Sequence, residues 1–227
     1  MCFTPAISLT TAIIEFILAI LILSLFKRTI ITKFSALFIT VLGAYQFSEF
    51  MLCTSNNIQT WVILGFIIYT FLPAIGLHAI IKFLKLKTKK WLVYTPSIIF
   101  SLIALLYRNF VIEGSCSKYF VKVKTIFFLS ETGLKLFPII AYWFYYFGFI
   151  LIFCILAYKL YKKERNKKKR RIYSIEIAAV LVMVVPTFIF IMVLPSFGIM
   201  FPSILCEFAL LLAILGFTAA YLENKKN

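Results

Sequence analysis

The 227-residue chain is 63% hydrophobic and only 14% charged, with a mean hydropathy of +1.02, whereas soluble domains carry roughly 25% charged residues. A water-soluble globule is thereby excluded. The formal charge of +16 does not point to nucleic acid either, because the basic residues sit between apolar runs, where they act as topology signals.

A hydrocarbon layer of about 30 Å takes roughly 20 apolar residues in helical form, and a backbone in lipid must satisfy its own hydrogen bonds. Each long apolar run therefore reads as a transmembrane helix. The first covers 7–26; it lacks a basic leader, which argues against a cleaved signal peptide, and Lys27, Arg28 and Lys33 follow it. The second covers 34–53 and the third 61–81, with no basic residue between them. Lys82, Lys85, Lys87, Lys89 and Lys90 separate the third from the fourth, at 91–107, where Pro96 is expected to kink the helix.

Between 108 and 135 runs the one substantial loop. Phe120-Val-Lys-Val-Lys-Thr-Ile alternates with period two, and Val111-Ile-Glu-Gly-Ser-Cys precedes it. Either a short hairpin over the bundle or an irregular loop fits this pattern. A fifth span covers 136–158, the basic run from Lys159 through Arg171 follows, and a sixth covers 172–194 with Pro186 inside it. The turn Pro195-Ser-Phe-Gly-Ile-Met-Phe-Pro202 carries no charge. It divides 172–222 into two spans, the last at 203–222, or else marks one re-entrant element.

Alternate loops carry nearly all the Lys and Arg, and the positive-inside rule places those loops in the cytoplasm. The expected fold is all-α: one polytopic bundle of seven transmembrane helices over 1–227, with the N-terminus outside and the C-terminus cytoplasmic. A multi-pass protein of the cell membrane is expected. Too little chain remains for a second folded domain, so any output domain would belong to another polypeptide.

Ionisable groups within spans are costly and mark candidate sites. Glu15, Glu49 and Glu207 fall in the outer halves of spans one, two and seven, Glu49 and Glu207 about 6 Å and Glu15 about 12 Å below the outer surface at 1.5 Å per residue. Tyr45, Gln46 and Glu49 share a helical face. These residues either converge on an outward polar pocket for a small cation or polar ligand, or act separately as hydrogen-bonding groups between helices. His78 and Glu176 lie near the inner surface, where they form a polar pair or snorkel to headgroups.

Four cysteines, Cys2, Cys53, Cys116 and Cys206, fall at or beyond the outer surface, and Cys154 lies near the inner one. Up to two disulfides are expected, in any of three connectivities. Cys53–Cys116 is the favoured pair, leaving Cys2 and Cys206; alternatively Cys206 is buried and one bond forms. With no Cys-x-x-Cys spacing, no metal site is expected. The Lys159 to Arg171 run is a topology anchor that also suits anionic lipid or an acidic protein partner.

Missing residues exclude several activities. One histidine and no aspartate rule out multi-histidine zinc hydrolases and paired-aspartate intramembrane proteases. A Gly-x-Ser nucleophile motif, a span-seven lysine for retinal, a Pro-Gln repeat and nucleotide-binding loops are also lacking. No cofactor is implied. Cys206 beside Glu207 is the one candidate nucleophile and acid–base pair, so a non-enzymatic protein is expected.

The opening Met1-Cys2-Phe3-Thr4-Pro5-Ala6, with Tyr45-Gln-Phe-Ser-Glu49-Phe in the second span, resembles an uncharacterised family of prokaryotic multi-pass membrane proteins beginning Met-Cys-Phe; that resemblance implies no activity. Trp61-Val-Ile-Leu-Gly-Phe-Ile-Ile-Tyr-Thr-Phe-Leu-Pro73-Ala-Ile-Gly-Leu-His78 looks like the third span of seven-helix input regions of bacterial sensor histidine kinases, which implies ligand sensing from outside. The expected function is a sensor or receptor with an outward pocket. A cation- or proton-coupled transporter or channel using the same carboxylates is the alternative.

Overall fold

A computed structural model describes residues 5–116, 121–127, 136–193 and 204–225 of the chain. For 121–122, 124, 136–138, 183–193 and 204–207 the description is of backbone. Cys2 and the turn at 195–202 lie outside the described residues, as do the side chains of Cys206 and Glu207.

The molecule is helical apart from one hairpin. Its helices are α1 (Pro5–Leu25), α2 (Ile30–Thr54), α3 (Ile58–Thr70), α4 (Leu72–Phe83), α5 (Lys90–Leu106), α6 (Leu136–Lys163), α7 (Lys167–Val193) and α8 (Ile204–Asn224). Among the described residues, four helical stretches are long and apolar enough to cross a membrane: Pro5–Leu25, Ile30–Thr54, Ile58–Phe83 and Ile139–Lys163.

The packing of α1 shows why these helices belong in lipid. It buries Ser8, Ala12, Glu15, Ala19 and Ile22 and turns Ile13, Ile17, Ile20 and Leu25 outward, Ile20 at 65% exposure. Small and polar residues face the neighbouring helices while large aliphatic ones face out, an arrangement suited to hydrocarbon surroundings. On α8, Ala209, Ala213, Ala219 and Ala220 are likewise buried while Leu211, Ile214 and Tyr221 are exposed.

Local chemistry sets the helix ends. The Thr29 hydroxyl accepts a hydrogen bond from the Thr32 amide and caps α2; Asn57 caps α3 by accepting from Thr60 N. At the end of α4, Lys85 takes φ 54°, Leu86 N donates to Ile81 O, and Lys85 N donates to Lys82 O. This is a Schellman closure with a lysine where glycine is usual.

Span three is interrupted. Phe71 separates α3 from α4, with Pro73 in the first turn of α4. Proline lacks an amide to donate and crowds the carbonyl four residues back, here that of Tyr69. Beside it, Thr70 O accepts a hydrogen bond of 2.6 Å from the Tyr145 hydroxyl on α6. The expected kink at Pro96 takes a milder form, since Pro96 lies inside the continuous helix α5.

Five helices close a ring in which each touches the next: α2 with α4, α4 with α6, α6 with α7, α7 with α8, and α8 with α2. Outside the ring, α1 packs on α2 and α8, while α3 packs on α2 and α5. One end of the bundle is basic. There Lys27 N donates to Asn224 Oδ1, Lys168 Nζ donates to Lys225 O, and Arg170 stacks on Tyr161 at 4.5 Å. Phe83, at the end of α4, meets Tyr173 of α7.

The opposite end carries the hairpin, β1 (Val111–Cys116) and β2 (Val121–Thr125). The strands run antiparallel, with an irregularity between Val111 and Glu113, and Glu113 stands opposite Lys124. Gly114 is required where β1 crosses α3, since a Cβ there would lie 2.6 Å from Ile58 Cγ2. Cys116, closing β1, is disulfide-bonded to Cys53 near the end of α2. Phe110 and Phe127 flank the strands, and both are fully buried. They join Phe66, Phe100 and Tyr142 in an aromatic cluster that fills the hairpin end of the bundle; Phe127 stacks on Tyr142 at 5.2 Å and Phe100 meets Tyr142 edge-on at 5.1 Å.

Candidate functional site

Inside the five-helix ring, on the basic side of the aromatic cluster, lies a cavity of about 100 Å³. Small side chains create it: Gly76 and Ala79 of α4, Ala157 of α6, Ala179 of α7 and Gly216 of α8 all face the space. Side chains this short cannot meet across the centre of a five-helix ring. Leu72, Ile150 and Leu212 belong to both the lining and the aromatic-side core. Ile31, Phe83 and Ile175 line it and pack with buried Ile172 and Ala219 toward the basic end.

The lining is apolar except for Glu176, the hydroxyls of Ser35 and Tyr173, and backbone. Among the described residues, Glu176 is the one charged residue of the lining. Counting from Arg171, the last basic residue of the run, Glu176 is five residues further along α7, about 8 Å of helix rise. None of the described residues forms an ion pair with it.

His78 is paired differently from the expectation. Its Nδ1 lies 2.9 Å from the Tyr94 hydroxyl of α5, and its ring meets Phe34 edge-on. At 100° per residue, His78 points more than a right angle away from the centre of the α4 positions that face the cavity, Ile75, Gly76, Ala79, Ile80 and Phe83. Similar depth therefore did not bring it to Glu176. Its Nε2 is buried without a hydrogen-bond partner.

Of the remaining candidates, Tyr45, Gln46 and Glu49 are all buried on α2, and the Tyr45 hydroxyl donates to the Glu49 carboxyl one turn away. Tyr45 also meets Tyr69 of α3 edge-on. Glu15 is fully buried elsewhere, against the α2 backbone at Gly43, where a Cβ would lie 3.3 Å from Glu15 Cβ. Both its carboxyl oxygens lack a hydrogen-bond partner. Six residues separate Gly43 from Glu49, so the two contact points are about 9 Å apart along α2 and roughly 120° apart around it. Glu15 and Glu49 thus address different faces of α2, with Gln46 between them. α1, α2 and α8 are mutual neighbours, as the convergence of Glu15, Glu49 and Glu207 would require.

The run 142–147 divides by face. Tyr142, Tyr145 and Tyr146 are buried, whereas Phe144 is 82% exposed. Tyr142 and Thr70 share a hydrogen bond of 3.1 Å, and Tyr145 bonds Ser97 at 2.7 Å. Cys154 is a free, half-buried thiol. Among the described residues, no group of three or more His, Cys, Asp or Glu side chains is placed to hold a metal ion.

Reasoning from sequence missed the aromatic side chains around the cavity: Phe34, Phe38, Phe83, Phe153 and Tyr173. The available signal was the combination of Glu176 with small residues on facing helices, Gly76-x-x-Ala79 above all. Comparison with protein-family models, curated proteins and solved structures finds no match. The class defined by the fold is a helical bundle with several helices fit to cross a membrane.

Proposed function

We propose that this protein is a seven-span receptor or sensor of the cell membrane, with its N-terminus outside and its C-terminus in the cytoplasm, which binds a small ligand within its bundle and catalyses no reaction. The observation that carries the reading is the cavity enclosed by five helices, with one carboxylate in an otherwise apolar lining. Ligand sites are commonly concave, mainly apolar and provided with few polar groups.

Support for the orientation comes from the gathering of Lys27, Lys168, Arg170 and Lys225 at one end of the bundle, which is the cytoplasmic end under the positive-inside rule. With α3 and α4 counted as one, the eight helices among the described residues make seven spans, of which α8 is the seventh. The cavity suits the binding reading better than the outward cleft does, because Glu15 and Glu49 face different sides of α2. Binding without transport is supported by the aromatic cluster packed between the cavity and the hairpin end.

The test is flux in proteoliposomes. No proton or alkali-cation current above that of empty liposomes is expected. A current lost in Glu49→Gln or Glu176→Gln would replace the receptor reading with a transporter or channel.

A further inference from the structure

The cavity lining specifies a ligand chemistry. Phe34, Phe38, Phe83, Phe153 and Tyr173 reach it from α2, α4, α6 and α7, around the same space as the Glu176 carboxyl. Aromatic faces attract a cation through the ring quadrupole, more strongly where water is excluded. Among the described residues the lining contains no Lys, Arg or His, so none of them supplies a counter-charge for Glu176 within the site.

An alkali or alkaline-earth ion is a poor match. It would surrender its water to a lining whose oxygens, besides backbone, are those of Glu176, Ser35 and Tyr173, and hard cations take six or more oxygen ligands. A primary ammonium has three donors to satisfy in a lining with few acceptors. A cation whose charge is spread over methyl groups has no donors, buries apolar surface and needs one carboxylate. We propose that this cavity is a binding site for a small quaternary-ammonium-type cation, caged by the aromatic side chains and neutralised by Glu176.

Size restricts the ligand to the smallest of this class. An engineered cavity of about 150 Å³ takes up benzene, with six heavy atoms, so by proportion about 100 Å³ admits roughly four, and tetramethylammonium, with five, is the smallest quaternary ammonium and a tight fit. The proposal rests on the reading of the bundle as a ligand-binding protein and goes further by naming the ligand's charge and shape.

The experiment is equilibrium binding of radiolabelled tetramethylammonium to the full chain in nanodiscs, with neutral tert-butanol as competitor and tert-butanol uptake measured in parallel. Saturable tetramethylammonium binding is expected, with tert-butanol a weak competitor. Glu176→Gln should weaken it roughly tenfold or more, as removal of one partner of a desolvated charge pair does. Phe153→Leu, which retains volume but loses a ring face, should weaken it roughly threefold.

Gly76→Leu tests the location without altering charge. A Cβ at Gly76 would sit 3.7 Å from Phe153 Cδ2, so the added atoms beyond it enter the cavity, and binding should be lost. Variants are compared at equal monodispersity. tert-Butanol uptake equal in wild type and Glu176→Gln, without tetramethylammonium binding, would overturn the cation assignment and leave the ligand-binding reading intact. Exclusion of both probes would overturn both. Tetramethylammonium binding unaffected by Glu176→Gln and Gly76→Leu would also refute the site.

Discussion

Replacing Tyr145 with phenylalanine removes one oxygen from the centre of the bundle. Its hydroxyl donates to Thr70 O at 2.6 Å, which leaves its oxygen to accept from Ser97 Oγ at 2.7 Å; Ser97 is fully buried. Two hydrogen bonds at about 1 kcal/mol each give about 2 kcal/mol. Polar contacts between membrane helices average about 0.6 kcal/mol, which sets a floor near 1 kcal/mol for the pair. Serine can also turn to its own helix carbonyl, so the loss belongs mainly to the Thr70 contact, where Pro73 has interrupted the backbone pattern. Tyr145→Phe should therefore destabilise the protein by about 1–2 kcal/mol. Unfolding free energies in mixed micelles titrated with denaturing detergent, for Tyr145→Phe, Ser97→Ala and the double variant, check this. A single-variant loss below about 0.5 kcal/mol, or strict additivity in the cycle, would refute the bridge between α6 and the α3–α4 break.

Lys85→Gly should raise stability by about 1 kcal/mol, because it relieves a left-handed backbone in a non-glycine residue; a fall in thermal midpoint would contradict the Schellman closure. Opening the Cys53–Cys116 bond with Cys53→Ser and Cys116→Ser should cost up to about 4 kcal/mol, the chain-entropy value for a loop closed across 63 residues. Helices that remain inserted after unfolding reduce that figure, and the difference in unfolding free energy measures it. In intact cells, Ser55→Cys should react with a membrane-impermeant maleimide and Thr88→Cys should not; the opposite pattern would invert the bundle in the membrane.

Helical character could be read from apolar run length, since 20-residue runs leave the backbone few alternatives in lipid. The first and second apolar runs, 7–26 and 34–53, correspond to α1 and α2, each extended by a few residues at its capped or proline start. Within the period-two alternation at 120–126, Val121–Thr125 forms a strand. Sequence did not reveal which proline would interrupt a helix. Pro96 stays within α5, whereas Pro73 marks the break at Phe71, and the difference depends on a partner for the Thr70 carbonyl, Tyr145, that lies 75 residues away. Glu176 could be recognised as a candidate because a carboxyl in an apolar run is conspicuous. Its surroundings could not, because they arise where five helices meet. His78 was matched to it by depth alone, and rotation about α4 sent His78 to Tyr94.

The cavity also has a position in the chain. Two of its walls, α2 and α4, come before the hairpin, and three, α6, α7 and α8, come after it. The same space is therefore the seam between the first and second halves of the protein, and neither half encloses it alone. A ligand held there touches both, so any molecule that prefers one docking of the halves over another shifts the balance between them by the ratio of its affinities. The basic segments at the ends of these walls would carry that shift to the basic end of the bundle.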